Sequence, residues 1–196
     1  TPQQKEHLKS LKHSGEHLLS LINNILDINK LESNKISKVE FDFYLKSQLK
    51  NTLKTLEKSA KDSGVALHLE VDDKIPKLLN GDMVKISQVI INLVANAIKF
   101  SEGGDVWVRA KHHKETDEKV GINFEVEDNG VGIEKSKHKQ IFEKFNQGSD
   151  KINSNFGGTG LGLSLSQQLA MMMGGYISVE SEVNKAFTPE LIKELK

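Results

Sequence analysis

Asp82-Met83-Val84-Lys85-Ile86-Ser87-Gln88-Val89-Ile90-Ile91-Asn92-Leu93-Val94-Ala95-Asn96-Ala97-Ile98-Lys99-Phe100 reads as one helix with two faces of different kinds. Ile86, Val89, Leu93, Ala97 and Phe100 recur three or four apart, the spacing of an apolar stripe that must be buried against another layer. Lys85, Gln88, Asn92, Asn96 and Lys99 form a second row on another side. Asp82 stands where a side-chain oxygen caps the free amides of a first turn. A solvated helix face is normally filled with Glu, Lys and Arg, whereas asparagine is a poor helix former that offers neutral amide oxygens and donors. Such a row, ending in Lys99, is suited to a hydrated magnesium ion and the phosphates around it. A plain polar surface is the alternative, and the helix alone does not choose between them.

Outward from this helix, period-two and period-3.6 patterns alternate. Upstream, Val39, Phe41 and Phe43 alternate as in a short strand, Tyr44 to Ala60 has helical spacing, Asp62-Ser63-Gly64 stops it, and Val65 to Val71 alternates again. Downstream, Val106 to Ala110 and Val120 to Val126 read as strands joined by a charged turn around Lys114 to Glu118; a Leu161 to Met173 helix and a Tyr176 to Val179 strand follow. There are too few strands for a doubly wound sheet, so the expected class is α+β: a two-layer α/β sandwich with helices on one mixed sheet. Pro2 to Ser33 is a separate long amphipathic helix, with Leu8, Leu11, Leu18, Ile22 and Ile25 on one stripe that Leu19, Leu21, Leu26, Ile28 and Leu31 widen. That width suits a helix in a bundle; a helix folded back on its own domain is the plainer reading. The boundary expected near Ser33 to Lys38 divides the chain into a helical piece, 1–36, and a globular one, 37–196. At the other end, Pro189 interrupts and Glu190 to Lys196 reads as helical.

Bulk properties exclude more than they assign. The 196 residues contain 27 Lys plus Arg and 27 Asp plus Glu, so no global field draws the chain to nucleic acid or to an anionic membrane. There is no cysteine, which removes disulfides, thiol nucleophiles and cysteine zinc sites and fits a reducing compartment. No apolar run approaches the roughly 20 residues of a membrane span. The cytoplasm is the expected location, without membrane contact by these residues, and an inner-membrane anchor elsewhere in a parent protein stays open.

Two further segments carry chemistry. Glu127-Asp128-Asn129-Gly130-Val131-Gly132-Ile133 directly follows a strand. Asp-Asn-Gly is a turn signal, yet a carboxylate there also accepts the exocyclic amine of adenine and repels the oxygen that guanine presents. Phe156-Gly157-Gly158-Thr159-Gly160-Leu161-Gly162-Leu163 runs straight into a helix, and glycines let a backbone approach a phosphate at the free amides of a helix start. A flexible loop and cap is the plainer reading. No Gly-Lys-Ser or Gly-Lys-Thr follows, which excludes the common nucleotide phosphate loop. Gln147 to Phe156, rich in Ser, Asn and Gly, reads as a mobile lid.

In this order the pieces resemble the nucleotide-binding boxes of two-component sensor histidine kinases. The asparagine box is Gln88 to Phe100, the first glycine box Asp128-Asn129-Gly130-Val131-Gly132-Ile133, the phenylalanine box Ile141-Phe142-Glu143-Lys144-Phe145, and the second glycine box Gly158-Thr159-Gly160-Leu161-Gly162-Leu163. Ser14 to Asp27 is similar to the second helix of that family's dimerisation and phosphotransfer domain. The resemblance implies a Bergerat-type ATP-binding fold behind a partial dimerisation helix; it also implies one more full strand after Tyr176 to Glu182, which in this sequence is expected to be shortened and to leave an exposed sheet edge. It implies adenine on Asp128, magnesium and phosphates at Asn92 and Asn96, and a phosphate contact at Lys99. ATP would be enclosed by Gly130, Gly132, Ile133, Phe145, Gly158, Thr159, Gly160, Leu161 and Gly162.

The implied reaction passes the γ-phosphoryl group to a histidine on the dimerisation domain of the same or a partner subunit of a homodimer, and then to a response-regulator receiver domain. The family's acceptor box is not matched: Gln3 follows Thr1-Pro2, and His7, His13 and His17 fall on the helix that packs beside the acceptor helix. The fragment is therefore expected not to phosphorylate itself. A nucleotide-responsive docking module without turnover, and a serine kinase or ATPase of the same fold, are the alternatives. The ATPases place a glutamate where Asn92 stands, and an amide cannot take a proton from water as a carboxylate does.

Overall fold

The computed structural model describes residues 39–101, 103–146, 160–181 and 188–195, together with Gln4, His7, Leu8, Leu11, Gly15, Leu18, Leu19, Ile22 and Leu26. These nine N-terminal residues are all helical and all exposed. Leu8, Leu11, Leu18, Leu19, Ile22 and Leu26 leave between 46% and 68% of their surface open, so the stripe is not covered by the chain's own domain. His13, His17, the expected boundary at Ser33 to Lys38 and the expected lid at 147–156 lie outside the described residues.

Strand β1 (Phe41–Tyr44) pairs antiparallel with β3 (Leu78–Gly81), setting buried Phe43 opposite buried Leu79. Helix α1 (Leu45–Lys54) follows and buries Leu45, Leu49, Thr52 and Leu53, one stripe at helical spacing. The single helix expected up to Ala60 is broken. Thr52 O accepts both the backbone N–H and the hydroxyl of Thr55, the latter at 2.7 Å, and a short second helix α2 (Glu57–Asp62) starts afresh. Gly64, with φ +68°, supplies the left-handed turn that releases the chain into β2 (Val65–Val71). Helix α3 (Met83–Phe100) is the central element, capped by Asp82, whose side chain accepts from Lys85 N. Strands β4 (Gly104–Glu115) and β5 (Val120–Asp128), helix α4 (Gly162–Met172) and strands β6 (Tyr176–Glu180) and β7 (Thr188–Leu195) complete the order.

The main sheet is β2-β4-β5-β7-β6, parallel between β2 and β4 and antiparallel elsewhere. It is the mixed sheet of an α+β fold, with the helices packed on one side. Val89, Ile90, Leu93, Val94 and Ala97 of α3 meet Val106, Val108, Ile122, Phe124 and Val126 of the sheet in one core, each at most 1% exposed. By length and composition α3 is apolar enough to cross a membrane, but half of it is buried in this core.

The C-terminal expectation is overturned. Residues 188–195 are not helical: β7 fills the place between β5 and β6, with Glu125 opposite Glu190 on one side and Val179 opposite Pro189 on the other. A seven-residue helix is too short to hold itself, whereas this slot offers hydrogen-bonding partners on both sides. Pro189 sits beyond the last β5 pair, where a missing N–H costs the ladder little. The last strand, Thr188–Leu195, is thus paired on both sides, and β6 forms the edge of the sheet there.

Candidate functional site

Strand alternation places the acid. Val120, Ile122, Phe124 and Val126 point into the core, and two residues on the same parity brings Asp128 in with them, 2% exposed. Burial pushes its carboxyl up to about 6, the neighbouring Glu127 charge adds to the rise, and the Gly130 N–H, donating to Oδ1 at 2.8 Å, opposes it. Gly130 is required here: a Cβ would come within 2.7 Å of both Asp128 Oδ1 and Phe100 O. The turn is therefore pressed against the C-terminal end of α3. Gly132 takes φ +69°, and Ile133 is fastened at both ends. Its N–H donates to Ser181 Oγ at 2.8 Å, and its carbonyl lies 3.2 Å from His138 Nε2.

The middle of α3 meets the second glycine segment. Asn92 Nδ2 donates to Ser166 Oγ on α4 at 2.8 Å, and Asn92 Oδ1 lies so close to Gly162 that a Cβ there would collide with it. Leu161 is fully buried just before the helix. Gly160 has φ +66°, and a Cβ on it would sit 2.7 Å from the backbone of Phe145. Phe145 itself takes φ +64°, unusual for a bulky residue, and its N–H donates to Gly160 O at 2.9 Å. The phenylalanine and second glycine segments are thus one connected unit, with the Phe145 ring 66% exposed.

Asn92 and Phe100 are eight residues apart, about 12 Å along a helix. The polar row of α3 therefore forms a floor between the acid-bearing turn at one end and the start of α4 at the other. Asn96 and Lys99 lie on that floor, both half-buried. Burial lowers the pKa of Lys99, whose Nζ lies 4.8 Å over the Phe100 ring, and an anion brought beside it would reverse that loss. Lys85, counted in the same row from its spacing, is turned away into an ion pair with Asp82. Gly158 and Thr159 lie outside the described residues. Sequence reasoning missed Ser166 and Ser181; serines buried in or beside apolar elements are the only signal that could have found them.

A profile of the histidine kinase-, DNA gyrase B- and HSP90-like ATPases matches residues 81–193, from the cap of α3 into β7. The chain belongs to that family. Its relatives in the histidine-kinase-like ATPase family are kinases by name. The chain is 37% identical over 188 residues to the signal transduction histidine-protein kinase BarA of Escherichia coli, covering 96% of this chain and 20% of BarA. It is 38% identical over 191 residues to the circadian input-output histidine kinase CikA of Synechococcus elongatus, covering 96% and 24%. Hybrid signal transduction histidine kinase B of Dictyostelium discoideum is 38% identical over 179 residues, covering 91% and 9%. The chain thus spans a quarter or less of these relatives. Among solved structures it is similar to full-length ShkA in complex with AMPPNP, with a TM-score of 0.81 and 27% identity over 98% of this chain and 39% of that one. The Acinetobacter baumannii histidine kinase AdeS, at 20% identity and a TM-score of 0.77 over 96% and 84%, shares the fold. The chain accordingly carries the ATP-binding domain of this family.

Proposed function

We propose that the chain is the magnesium- and ATP-dependent catalytic domain of a sensor histidine kinase, residues 37–196, behind a partial dimerisation helix, residues 1–36. The buried carboxylate of Asp128, in a turn pressed against the C-terminal end of the helix that carries Asn92, Asn96 and Lys99, is the observation that carries the reading. In it, Asp128 accepts the adenine amine; the glycines and Ile133 of the first turn, with Phe145, Thr159, Leu161 and the glycines of the second segment, enclose the nucleotide. The AMPPNP complex of the similar ShkA supports a nucleotide in this fold.

The amide oxygens of Asn92 and Asn96, one turn apart, are hard neutral donors that fit a magnesium ion which keeps several waters and binds phosphate. Among the described residues no cluster of three His, Asp or Glu side chains is placed to hold a metal, so a cation at this cleft depends on the amides and the phosphates. When bound, the ion would neutralise charge developing on the triphosphate, and Lys99 would add a second positive charge beside the phosphates. The chain's own part is positioning and exclusion of water. The γ-phosphoryl group goes to a histidine on a dimerisation domain, of the same or a partner subunit, and from there to a response-regulator receiver. His7, the described histidine of the N-terminal helix, is exposed, but it is not read as that acceptor. Asn92 at the place of the ATPases' glutamate argues against hydrolysis as the main reaction.

The test is label transfer. The fragment incubated with γ-labelled ATP should stay unlabelled, and adding a dimerisation domain that carries the acceptor histidine should yield acid-labile phosphohistidine on that domain. Acid-labile label on the fragment alone would show the acceptor to be misplaced.

A further inference from the structure

Asn92 is held from across the fold. Its Nδ2 donates to Oγ of Ser166, 74 residues later on α4, at 2.8 Å, and Ser166 is 1% exposed in a helix otherwise packed with Leu165, Leu169 and Ala170. The other end of the same carboxamide, Oδ1, lies against Gly162 at the start of that helix. A carboxamide has two unlike ends that differ by a half-turn about one bond, and only the oxygen can face a cation. Whatever takes the N–H₂ end therefore selects the end left for the cleft. A serine hydroxyl has lone pairs for that N–H₂, and burial removes the water that would otherwise compete for it.

We propose that Ser166 is a positioning residue for the metal-binding amide: by accepting the N–H₂ of Asn92 it keeps the carboxamide oxygen at the cleft beside the first turn of α4. The inference rests on the magnesium role of Asn92 proposed above. It also ties the seat of α4 to the cation, since α4 and the carboxamide cannot shift independently while this bond holds.

The experiment is a calorimetric cycle on the whole 196-residue chain, titrating ATP with magnesium and again with EDTA, in wild type, Ser166→Ala, Asn92→Ala and the double variant. Thermal melting of each variant reports on the fold. Ser166→Ala should lower the magnesium-dependent gain in affinity about tenfold, the worth of about 1.4 kcal/mol or one neutral hydrogen bond, while leaving the affinity in EDTA unchanged. In the Asn92→Ala background the same substitution should change nothing further. A magnesium gain in Ser166→Ala equal to wild type would overturn the inference, as would an undiminished loss in the Asn92→Ala background, since Ser166 would then act on the fold and not through the amide. Wild type without any magnesium gain would defeat the role given to Asn92 itself, and this proposal with it.

Discussion

At the scale of the residue, Asp128 is held at a pKa of about 6 because strand alternation puts a carboxyl where a core side chain belongs. An unfolded chain gives it about 4. Its folded value is the higher one, so the charged form opposes folding; that cost is present in full above pH 6 and is relieved as the pH falls through 6 towards 4. Asp128→Asn should therefore raise the melting temperature at pH 8 and do so much less at pH 4.5, while weakening ATP binding at neutral pH by at least tenfold. In wild type, affinity for ATP should fall as the pH drops below about 6, and in Asp128→Asn that fall should be shallower, leaving only the titration of the ATP phosphate itself. Equal ATP affinity in the two proteins at pH 8 would remove Asp128 from the adenine role. Asp128, Gly130 and Gly162 are legible in the sequence because each sits inside a local pattern of turn or helix start. Ser166 and Ser181 are not, because their partners lie 74 and 48 residues away and only folding brings them together.

At the scale of the element, α3 carries the cleft floor and its first turn bears the tension of the design. Asp82, 1% exposed, caps the helix at Lys85 N, accepts from Val39 N at 3.3 Å and pairs with buried Lys85. Removing it opens the cap, costing about 1 kcal/mol, and takes one charged hydrogen bond from buried Lys85, costing roughly 1–3 kcal/mol more. Asp82→Ala should thus lose roughly 2–4 kcal/mol of stability by urea denaturation, and a loss below about 1 kcal/mol would mean that the pair holds nothing. The α3 helix was read within one residue of its true start, since its stripe runs over five turns of strong periodicity. The β3 strand, Leu78–Gly81, went unread: four residues beginning with an exposed leucine show no alternation, and β1 alone makes them a strand. The tail failed for a different reason. A short stretch of Leu, Ile, Glu and Lys has helical propensity, and the vacant place between β5 and β6 overrules it.

At the scale of the whole molecule, the exposed leucines of the N-terminal helix are an apolar feature the domain does not cover. Leu8, Leu11, Leu18, Ile22 and Leu26 recur three, seven and four apart, the spacing of a helical bundle, and a contiguous stripe of this kind calls for a partner helix. If it is a dimerisation face, Leu11→Glu with Leu18→Glu should abolish concentration-dependent association in sedimentation while leaving ATP affinity intact, because both side chains are exposed and neither belongs to the nucleotide site proposed above. Unaltered association would assign the stripe elsewhere.

The claim on which the rest depends is that the α3 floor, the acid of β5 and the glycine start of α4 form one cleft for an adenine nucleotide. Its most direct measurement is calorimetric titration of the chain with ATP and with GTP, both in magnesium. ATP should bind with one-to-one stoichiometry and raise the melting temperature, whereas GTP, whose oxygen faces the Asp128 carboxylate, should bind at least tenfold more weakly. Equal binding of the two nucleotides, or no heat and no thermal shift with ATP, would contradict the account.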